Sequence, residues 1–539
     1  MTQVPTTPFH QGEREAQRRA GVGDVASWAG GFIRDFLPDQ HRDFHTALPF
    51  LVMAGSDLNG RTWVTVLEGA DGFLHSPTPY QLSLRTEPEP SDPLAERLFS
   101  GGDVGVLGID LASRRRNRFN GRISRSSDGY VIDVQQSFGN CPQYIQQRTL
   151  SRTQADAPGT LKRFSQLTRD HIHWIERADT MFMGSGHHDH SEARHNGFDA
   201  SHRGGAPGFV KVESEQELVI PDYAGNNFFN TIGNLLKDPR VGLVFVDFNQ
   251  GSLLHISGTA RIDWSPGASS DPQARRFIHV TIERILERRH VLSLRWQRDL
   301  QYTRDLTIKR KVRESKDVTS FYLAPVDAHP LKPATAGQHL NVDMQIPGQL
   351  GTTSRSYSLS GDPADSQHYR LSIKREAYGL VSRYLHDVLG EGAIIKAGRP
   401  SGDFVLPGKE TPVALISAGI GLTPMVAMLH AAARQGRPAW YLHGARRGDQ
   451  HPLRQEVNEL VARHAHLHQR IFYSQPAPED RLGHDFHVAG RLSAAAVLET
   501  AGHPETHYLV CGPSAFVANL TDDLISYGVP AARLHSESF

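Results

Sequence analysis

The chain has 539 residues, too many for one hydrophobic core, and its length predicts about three or four domains. Lysine plus arginine and aspartate plus glutamate each number 58, so the net charge is zero, which argues against a nucleic-acid binder. No apolar run reaches the roughly 18 residues of a membrane span, and the N-terminus lacks a signal-peptide layout, so we expect a cytoplasmic protein without a membrane partner.

The first half of the chain contains an internal repeat. VGVLGID (104–110) is similar to VGLVFVD (241–247) at a spacing of 137 residues, and NG (120–121) and SG (257–258) keep that spacing. Short β-branched runs between Gly, Pro and Asp predict antiparallel strands, and FFNTIGNLLKDP (228–239) predicts a helix. We therefore predict two small β-barrels that pack as an internal pseudo-dimer. The alternative is a chance similarity between two β domains.

Five segments of the repeats also carry a family resemblance. They are PFHQGERE (8–15), RRRNRFNG (114–121), FGNCPQYIQQR (138–148), ASHRGGAPGFV (200–210) and PDYAGNNFFNTIGNLLKDPRVGLVF (221–245). They resemble the pyridoxamine 5′-phosphate oxidase-like split barrels, which commonly bind FMN at a dimer interface. The resemblance covers roughly residues 8–296 and implies the split-barrel fold.

The ligand of these repeats is left open by the sequence. Where the oxidases carry two positive charges for a phosphate, this chain has Gly225, Asn226 and Asn227. Arg203 could replace those charges, and so could the cluster Arg114, Arg115, Arg116 and Arg118, which is alternatively a solvated loop. FMN is therefore one alternative, with Arg203, Asn226 and Asn227 as its candidate contacts. Oxidation of pyridoxamine phosphate is not expected.

From Tyr302 onward the pattern changes to strands with period-two alternation. In RSYSLS (355–360), Arg355 offers a fixed cation for a pyrophosphate, Tyr357 an aromatic face for a flavin ring, and Ser358 a hydroxyl. GLVSRYLHDVL (379–389) begins a helix whose first backbone amides can hold a phosphate oxygen.

These motifs occur in a recognisable order. AGQHL (336–340), RSYSLS, GLVSRYLHD and SGDF (401–404) resemble the FAD domain of the ferredoxin–NADP reductase superfamily, closest to the reductase half of flavohaemoglobins. The split-barrel repeats stand where flavohaemoglobins have a globin. The resemblance implies bound FAD, with ligands from Arg355, Tyr357, Ser358, Val381 and Ser382, and with Gln338 and His339 as second-rank candidates.

SAGIGLTP (417–424) follows the strand PVALIS and precedes the helix PMVAMLHAAARQG. A strand, a tight turn and a helix in this order bind phosphate at the helix N-terminus. Three further strand–helix pairs follow, which predicts a parallel α/β domain. The predicted strands are AWYLHGAR (439–446), IFYS (471–474) and HYLVCGP (507–513), and the predicted helices are PLRQEVNELVARH, LSAAAVLET and AFVANLTDDLISYG.

Two motifs of this domain mark the NAD(P)H domain of the same superfamily. They are Gly-x-Gly-x-Thr-Pro and Cys-Gly-Pro, formed here by Gly419, Gly421, Thr423, Pro424, Cys511, Gly512 and Pro513. The resemblance implies that Thr423 and Cys511 border the nicotinamide, although Cys511 is alternatively a small buried residue. The terminal ESF (537–539) is similar to the acidic–aromatic segment of the same superfamily, and this resemblance implies that Glu537 helps to supply protons at the flavin and that Phe539 covers the ring. Arg446 and Arg447 leave NADH and NADPH undecided.

The histidines and cysteines predict no metal site. GHHDHSEARH (186–195) lacks the spacing of H-E-x-x-H and lies among loop-forming residues. The two cysteines, Cys141 and Cys511, cannot supply the four thiolates of a [2Fe–2S] cluster of the ferredoxin type.

Together these patterns predict a multidomain flavin-dependent oxidoreductase. Its predicted parts are an N-terminal arm (1–40), two split barrels (41–150 and 151–298), an antiparallel FAD-binding barrel (299–408) and a parallel α/β NAD(P)H-binding domain (409–539). NAD(P)H would reduce FAD by hydride transfer, with Ser358, Thr423, Cys511 and Glu537 as candidate catalytic residues.

The electrons would then pass to a small-molecule or protein acceptor, with FMN in the split barrels as a candidate route. Two alternatives stay open: a haem-binding split barrel fed by its own reductase, and a non-catalytic flavin-binding redox sensor. The sequence also leaves open whether two chains form a homodimer.

Overall fold

The computed structural model describes residues 7–23, 25, 33–140, 144–153, 159–189, 195–265, 271, 274–298, 303–327, 329–347, 352–377, 379–408 and 411–538. The chain divides near residue 299 into an N-terminal unit and a C-terminal unit. The longest helix within these ranges has 14 residues, and none of the helices there is both long and apolar enough to cross a bilayer.

The N-terminal unit is built mainly from antiparallel strands. Its helices are α1 (Gln11–Arg19), α2 (Asp39–Thr46), α3 (Ala95–Ser100), α4 (Arg169–Arg177) and α5 (Asn230–Lys237). Its strands are β1 (Phe50–Ser56), β2 (Thr62–Glu68), β3 (Leu74–His75), β4 (Gln81–Leu84), β5 (Gly102–Asp110), β6 (Arg115–Ser126), β7 (Gly129–Asn140), β8 (Arg148–Arg152), β9 (Thr160–Phe164), β10 (Thr180–His187), β11 (Gly197–Gly204), β12 (Lys211–Ser214), β13 (Glu217–Asp222), β14 (Arg240–Asp247), β15 (Ser252–Asp263), β16 (Arg276–Arg289) and β17 (Leu294–Arg298).

The sequence repeat appears in the strand order of two sheets. The first sheet has the order β2-β1-β5-β6-β7-β4-β3, and the second has the order β11-β10-β14-β15-β16-β13-β12, with β9 beside β16. Because β1 to β7 correspond in sequence order to β10 to β16, the two orders are the same. A separate two-stranded sheet joins β8 to β17.

Both sheets carry a β-bulge at the same place in the repeat. The register shifts between Asn120 and Gly121 in the first sheet, and between Ser257 and Gly258 in the second. A Cβ atom at either glycine would collide with a backbone carbonyl of the next strand. Only glycine fits there, which explains why the two Gly positions keep the 137-residue spacing.

The two sheets also contact each other reciprocally. A Cβ atom on Gly105 would lie 2.7 Å from Cα of Asp199, and one on Gly242 would lie 2.8 Å from Cα of Trp63. Gly105 and Gly242 are equivalent in the repeat, and Asp199 and Trp63 occupy equivalent register positions opposite β10 and β1. Such exchanged contacts are typical of a two-fold relation. Buried apolar side chains of both repeats form the core between the sheets.

The C-terminal unit contains two sheets of different kinds. Its helices are α6 (Leu380–Asp387), α7 (Leu422–Gln435), α8 (Arg454–Arg463), α9 (Ala494–Ala501) and α10 (Ser514–Ser526). Its strands are β18 (Arg304–Arg313), β19 (Val318–Pro325), β20 (His339–Met344), β21 (Thr353–Ser358), β22 (Tyr369–Lys374), β23 (Ile394–Ala397), β24 (Val413–Ala418), β25 (Ala439–Ala445), β26 (Leu467–Tyr473), β27 (Val488–Ala489), β28 (His507–Gly512) and β29 (Leu534–Ser538).

The first of these sheets is antiparallel, with the order β21-β20-β23-β18-β19-β22. The second is parallel, with the order β27-β26-β25-β24-β28-β29 and helices between its strands. This confirms the predicted antiparallel domain followed by a parallel α/β domain. The terminal strand β29 was not predicted, and β26 begins before the predicted IFYS segment because its polar first half pairs with β25.

Candidate functional site

Three predicted residues lie on strand β21, at the edge of the antiparallel sheet. Arg355 and Tyr357 are two residues apart and therefore share one face, whereas Ser358 lies on the other. Tyr357 is only partly exposed and packs against the core of the sheet, and burial raises the pKa of its phenol. Arg355 donates a hydrogen bond to the Ser354 carbonyl at 2.8 Å. This face offers a cation beside a fixed aromatic ring, the groups that a flavin nucleotide needs.

Helix α6 begins at Leu380, directly after Gly379. The hydroxyl of Ser382 accepts a hydrogen bond from the Glu376 amide and donates one to the Gly379 carbonyl, both at 3.2 Å. The side chain of Val381 is buried in the core of the antiparallel sheet. Both residues can therefore reach a phosphate only through backbone amides, which have no partner within the first turn of a helix.

Gln338 and His339 form hydrogen bonds with neighbouring residues of the protein. The Gln338 side chain accepts a hydrogen bond from the Thr335 amide at 2.9 Å. His339 exchanges two backbone hydrogen bonds with Ser401, and its ring Nε2 lies 3.3 Å from the Ser401 hydroxyl. These contacts fix the loop that contains SGDF beside the start of β20.

The two predicted nucleotide motifs meet at one edge of the parallel sheet. The chain runs from β24 to β25 on one side and returns to β28 on the other, so the crevice beyond the ends of β24 and β28 is a topological switch point. A Cβ atom on Gly421 would lie 2.5 Å from the Cys511 carbonyl carbon and 2.7 Å from Cα of Gly512. The two turns therefore touch through their backbones, and Gly419 has the left-handed φ of 56° that favours glycine.

Thr423 and Pro424 lie in the first turn of α7, and both are buried. The Thr423 hydroxyl donates a hydrogen bond to the Ile420 carbonyl at 3.1 Å. This bond holds the turn that contains the two glycines against the helix. Arg446 and Arg447 are exposed after β25, and Arg447 lies 3.4 Å from Asp449.

Cys511 and Glu537 stand opposite each other on β28 and β29. The Cys511 thiol is fully buried, and burial raises its pKa well above the ordinary value, with a further contribution from Glu537. Burial also raises the pKa of Glu537 to about 7. At neutral pH this carboxyl can therefore hold or release a proton beside the crevice. Phe539, Cys141 and residues 190–194 of the histidine-rich segment lie outside the described residues.

The sequence did not predict an ionic network between the antiparallel sheet and the α/β domain. Arg370 on β22 donates two hydrogen bonds to Glu456 on α8, at 2.6 and 2.9 Å. His430 Nε2 lies 2.6 Å from the same carboxylate, and Arg434 on α7 pairs with Asp362. Arg370 is 7% exposed. No local sequence signal could have found the Arg370–Glu456 pair, whose members are 86 residues apart.

In the N-terminal unit, the two predicted phosphate-binding alternatives lie in one cavity of about 120 Å³. We call this cavity the arginine pocket. It brings Arg116 and Arg118 of the first repeat together with Arg203, Asn226 and Asn227 of the second. It is also lined by His202, Arg276, Tyr144 and Tyr223. Arg114 and Arg115 do not line it.

Charge and unpaired donors distinguish the arginine pocket. Arg118 pairs with Asp199 at 3.3 Å, while Arg203 and Arg276 both pair with Asp222. The three guanidinium groups of Arg118, Arg203 and Arg276 thus share two carboxylates among the described residues. Three buried nitrogens, His202 Nε2, Arg118 Nε and Arg203 Nε, have no hydrogen-bond partner among the described residues. Buried donors without partners are costly, and an anionic ligand would satisfy them.

Comparisons with known proteins identify the C-terminal unit. Residues 305–406 match the oxidoreductase FAD-binding domain, and residues 415–522 match the oxidoreductase NAD-binding domain. The chain is 42% identical over 238 residues to a flavohemoprotein of Deinococcus radiodurans, and 37% identical over 236 residues to one of Bacillus subtilis. These matches cover 44% and 43% of this chain, and 59% and 58% of the relatives, so the chain spans less than two thirds of their length.

A solved structure is also similar, that of the flavohem-like FAD/NAD binding domain of nitric oxide dioxygenase from Vibrio cholerae. It is 32% identical, with a TM-score of 0.40, over 44% of this chain and 99% of the other. The two domain matches and the flavohemoprotein relatives agree with the motifs of the antiparallel and parallel domains. The C-terminal part of the chain is therefore an NAD(P)H-dependent flavin oxidoreductase module that contains an FAD-binding and an NAD-binding domain.

Proposed function

We propose that the whole chain is an NAD(P)H-dependent flavin oxidoreductase that delivers electrons from FAD to an acceptor at its N-terminal unit. The observation that carries this proposal is the backbone contact between the Gly419–Pro424 turn and the Cys511–Pro513 turn at the switch point of the parallel sheet. FAD, when bound, accepts the hydride of NAD(P)H and releases electrons singly or in pairs.

The residues of the module fit that chemistry in distinct roles. Arg355 binds the pyrophosphate, Tyr357 supports the flavin ring, and the first amides of α6 hold a phosphate oxygen. Ser358 offers its hydroxyl to the heteroatoms of the ring.

In the NAD-binding domain, the glycines of the Gly419–Pro424 turn let the backbone approach the nucleotide. Thr423 fixes that turn, and Cys511 lines the crevice beside the nicotinamide. Glu537, opposite Cys511 on β29, holds a proton there, because burial raises its pKa to about 7.

The N-terminal unit contains a pocket that is suited to a bound electron acceptor. Two sheets of equal strand order with reciprocal contacts support two split barrels, residues 41–150 and 151–298, that form a pseudo-dimer. The arginine pocket joins both repeats, and its excess positive charge fits a phosphate dianion. The stacked rings of Tyr144 and Tyr223, with centroids 5.1 Å apart, add aromatic surface. FMN has both the phosphate and the planar ring that this pocket would recognise.

The proposed function is tested with the purified full chain. We expect extracted FAD at one per chain and loss of the flavin absorbance when NADH or NADPH is added without oxygen. Folded protein that holds no FAD, or FAD that neither nucleotide reduces, would contradict the proposal. A Soret band in the same spectrum would instead support a haem acceptor in the N-terminal unit.

A further inference from the structure

The pseudo-dimer contains two equivalent locations between its sheets, and their side chains can be compared position by position. On the long strands, Arg116 and Arg118 of β6 correspond to Leu253 and His255 of β15 at the 137-residue spacing. On the neighbouring strands, His202 and Arg203 of β11 correspond to Val66 and Leu67 of β2. Register fixes this second correspondence: His202 and Arg203 stand opposite Phe182 and Met181, and Val66 and Leu67 stand opposite Val52 and Leu51.

The first location is the arginine pocket. Arg116 Nη1 lies 3.2 Å from His202 Nδ1, and because an arginine only donates, the ring proton of neutral His202 is on Nε2. That nitrogen is buried and has no partner among the described residues. The pocket therefore presents an unpaired N–H donor in addition to its surplus of guanidinium groups, and both features attract an anion.

The equivalent location is filled by the chain itself. Leu253, Val66 and Leu67 are 0%, 4% and 6% exposed and belong to hydrophobic cores. His255 Nδ1 donates to the Val64 carbonyl at 2.8 Å, so its Nε2 carries no proton and offers nothing to an anion.

The cation near this second location is already paired. Arg288 donates to Asp92 at 2.7 Å and to Ser91 at 3.1 Å, and it also lies 3.3 Å from Glu89. The side chains of Arg288 and Asp92 are 3% and 2% exposed. Among the described residues, one arginine here stands against two carboxylates, whereas in the arginine pocket Arg118, Arg203 and Arg276 share two. The charge at the second location is therefore unfavourable for a phosphate.

We propose that the N-terminal unit binds one phosphate-bearing planar ligand per chain, in the arginine pocket, and that its symmetry-equivalent location is permanently closed. The proposal rests on the proposed function only in taking FMN as the probe. The number of sites and their location follow from the comparison of the two repeats, and they do not depend on whether FAD is reduced.

The test is an FMN titration of the purified full chain, followed by the quenching of FMN fluorescence, with bound FAD measured separately after extraction. We expect saturation at one FMN per chain. Arg116→Gln should weaken FMN binding at least about tenfold, because it removes a charge-assisted contact. Arg122→Gln is the matched control on the same strand; its side chain is 71% exposed, and we expect no change.

Two FMN per chain, no FMN binding by the wild-type chain, or equal affinity in the Arg116→Gln and wild-type chains would each overturn the proposal. The wild-type stoichiometry decides the matter even if the variant fails to fold. Failure of NAD(P)H to reduce FAD in the same samples would contradict the proposed function alone, so the two failures can be distinguished.

Discussion

Glu456 connects the FAD-binding and NAD-binding domains, and its charge should contribute measurably to their stability. Burial alone would raise its pKa, but hydrogen bonds from His430 and Arg370 outweigh burial and lower the pKa from 4.5 to about 2. At about 1.4 kcal/mol per pKa unit, this shift corresponds to about 3 kcal/mol of folding free energy. Because the folded-state pKa is lowered, this stabilisation is present above pH 4.5 and is lost as the pH falls from 4.5 towards 2.

Glu456→Gln keeps the shape of the side chain but removes its charge, and it leaves the buried Arg370 without a counter-ion. We expect the free energy of unfolding of the C-terminal unit at pH 7 to fall by about 2–3 kcal/mol. Urea unfolding of the full chain, followed by the fluorescence of released FAD, measures this unit specifically. Between pH 4.5 and 2, the free energy of unfolding should also fall much less in the variant than in the wild-type chain.

Glu459→Gln is the matched control. Glu459 lies one turn further along α8, is about half exposed, and lies 3.3 Å from Arg463 four residues away. A surface pair of this kind contributes about 0.5 kcal/mol or less. If the two glutamine variants lost the same small amount of stability, the charge of Glu456 would not stabilise the C-terminal unit as its lowered pKa implies.

Three further changes test the candidate site. Arg355→Ala should raise the Kd for FAD by about 10- to 150-fold, since a charged hydrogen bond contributes about 1.5–3 kcal/mol, and an unchanged Kd in a fluorescence titration would exclude Arg355 as a ligand. The rate of flavin reduction in stopped flow should fall as the pH rises through about 7, because Glu537 then loses its proton. Glu537→Gln should remove that pH dependence. A variant with the wild-type pH profile would rule out Glu537 as a proton source. Gly421→Ala should slow flavin reduction by NAD(P)H, because the added Cβ would lie 2.5 Å from the Cys511 carbonyl carbon. The control Gly436→Ala should leave the rate unchanged, because it introduces only left-handed backbone strain in open space at the end of α7. Similar rates in both variants would contradict the importance of the contact between Gly421 and Cys511.

Much of the C-terminal unit could be predicted because its signals are local. Strand–turn–helix patterns and short motifs such as SAGIGLTP depend on neighbouring residues, and the structure places those motifs at the ends of β24 and β28. The Arg370–Glu456 pair could not be predicted, because it depends on how two domains pack. For the same reason the sequence left Arg203 and the Arg114–Arg118 cluster as alternatives, although Arg116, Arg118 and Arg203 line one pocket. The sequence names Ser382 as an FAD ligand but could not show that its hydroxyl is already hydrogen-bonded to the Glu376 amide and the Gly379 carbonyl.

Because both repeats lie in one chain, each repeat can acquire amino-acid substitutions independently of the other. In a dimer of identical chains, every substitution appears twice, so a ligand site and its symmetry mate must change together. Here position 118 can be arginine while position 255 is histidine, because each copy is encoded separately. The glycines at the bulges and at the reciprocal contacts, Gly105, Gly121, Gly242 and Gly258, are the same in both copies, since backbone packing permits nothing larger. Two repeats in one chain can therefore share these glycines while the arginines of the pocket occur at only one of the two equivalent locations.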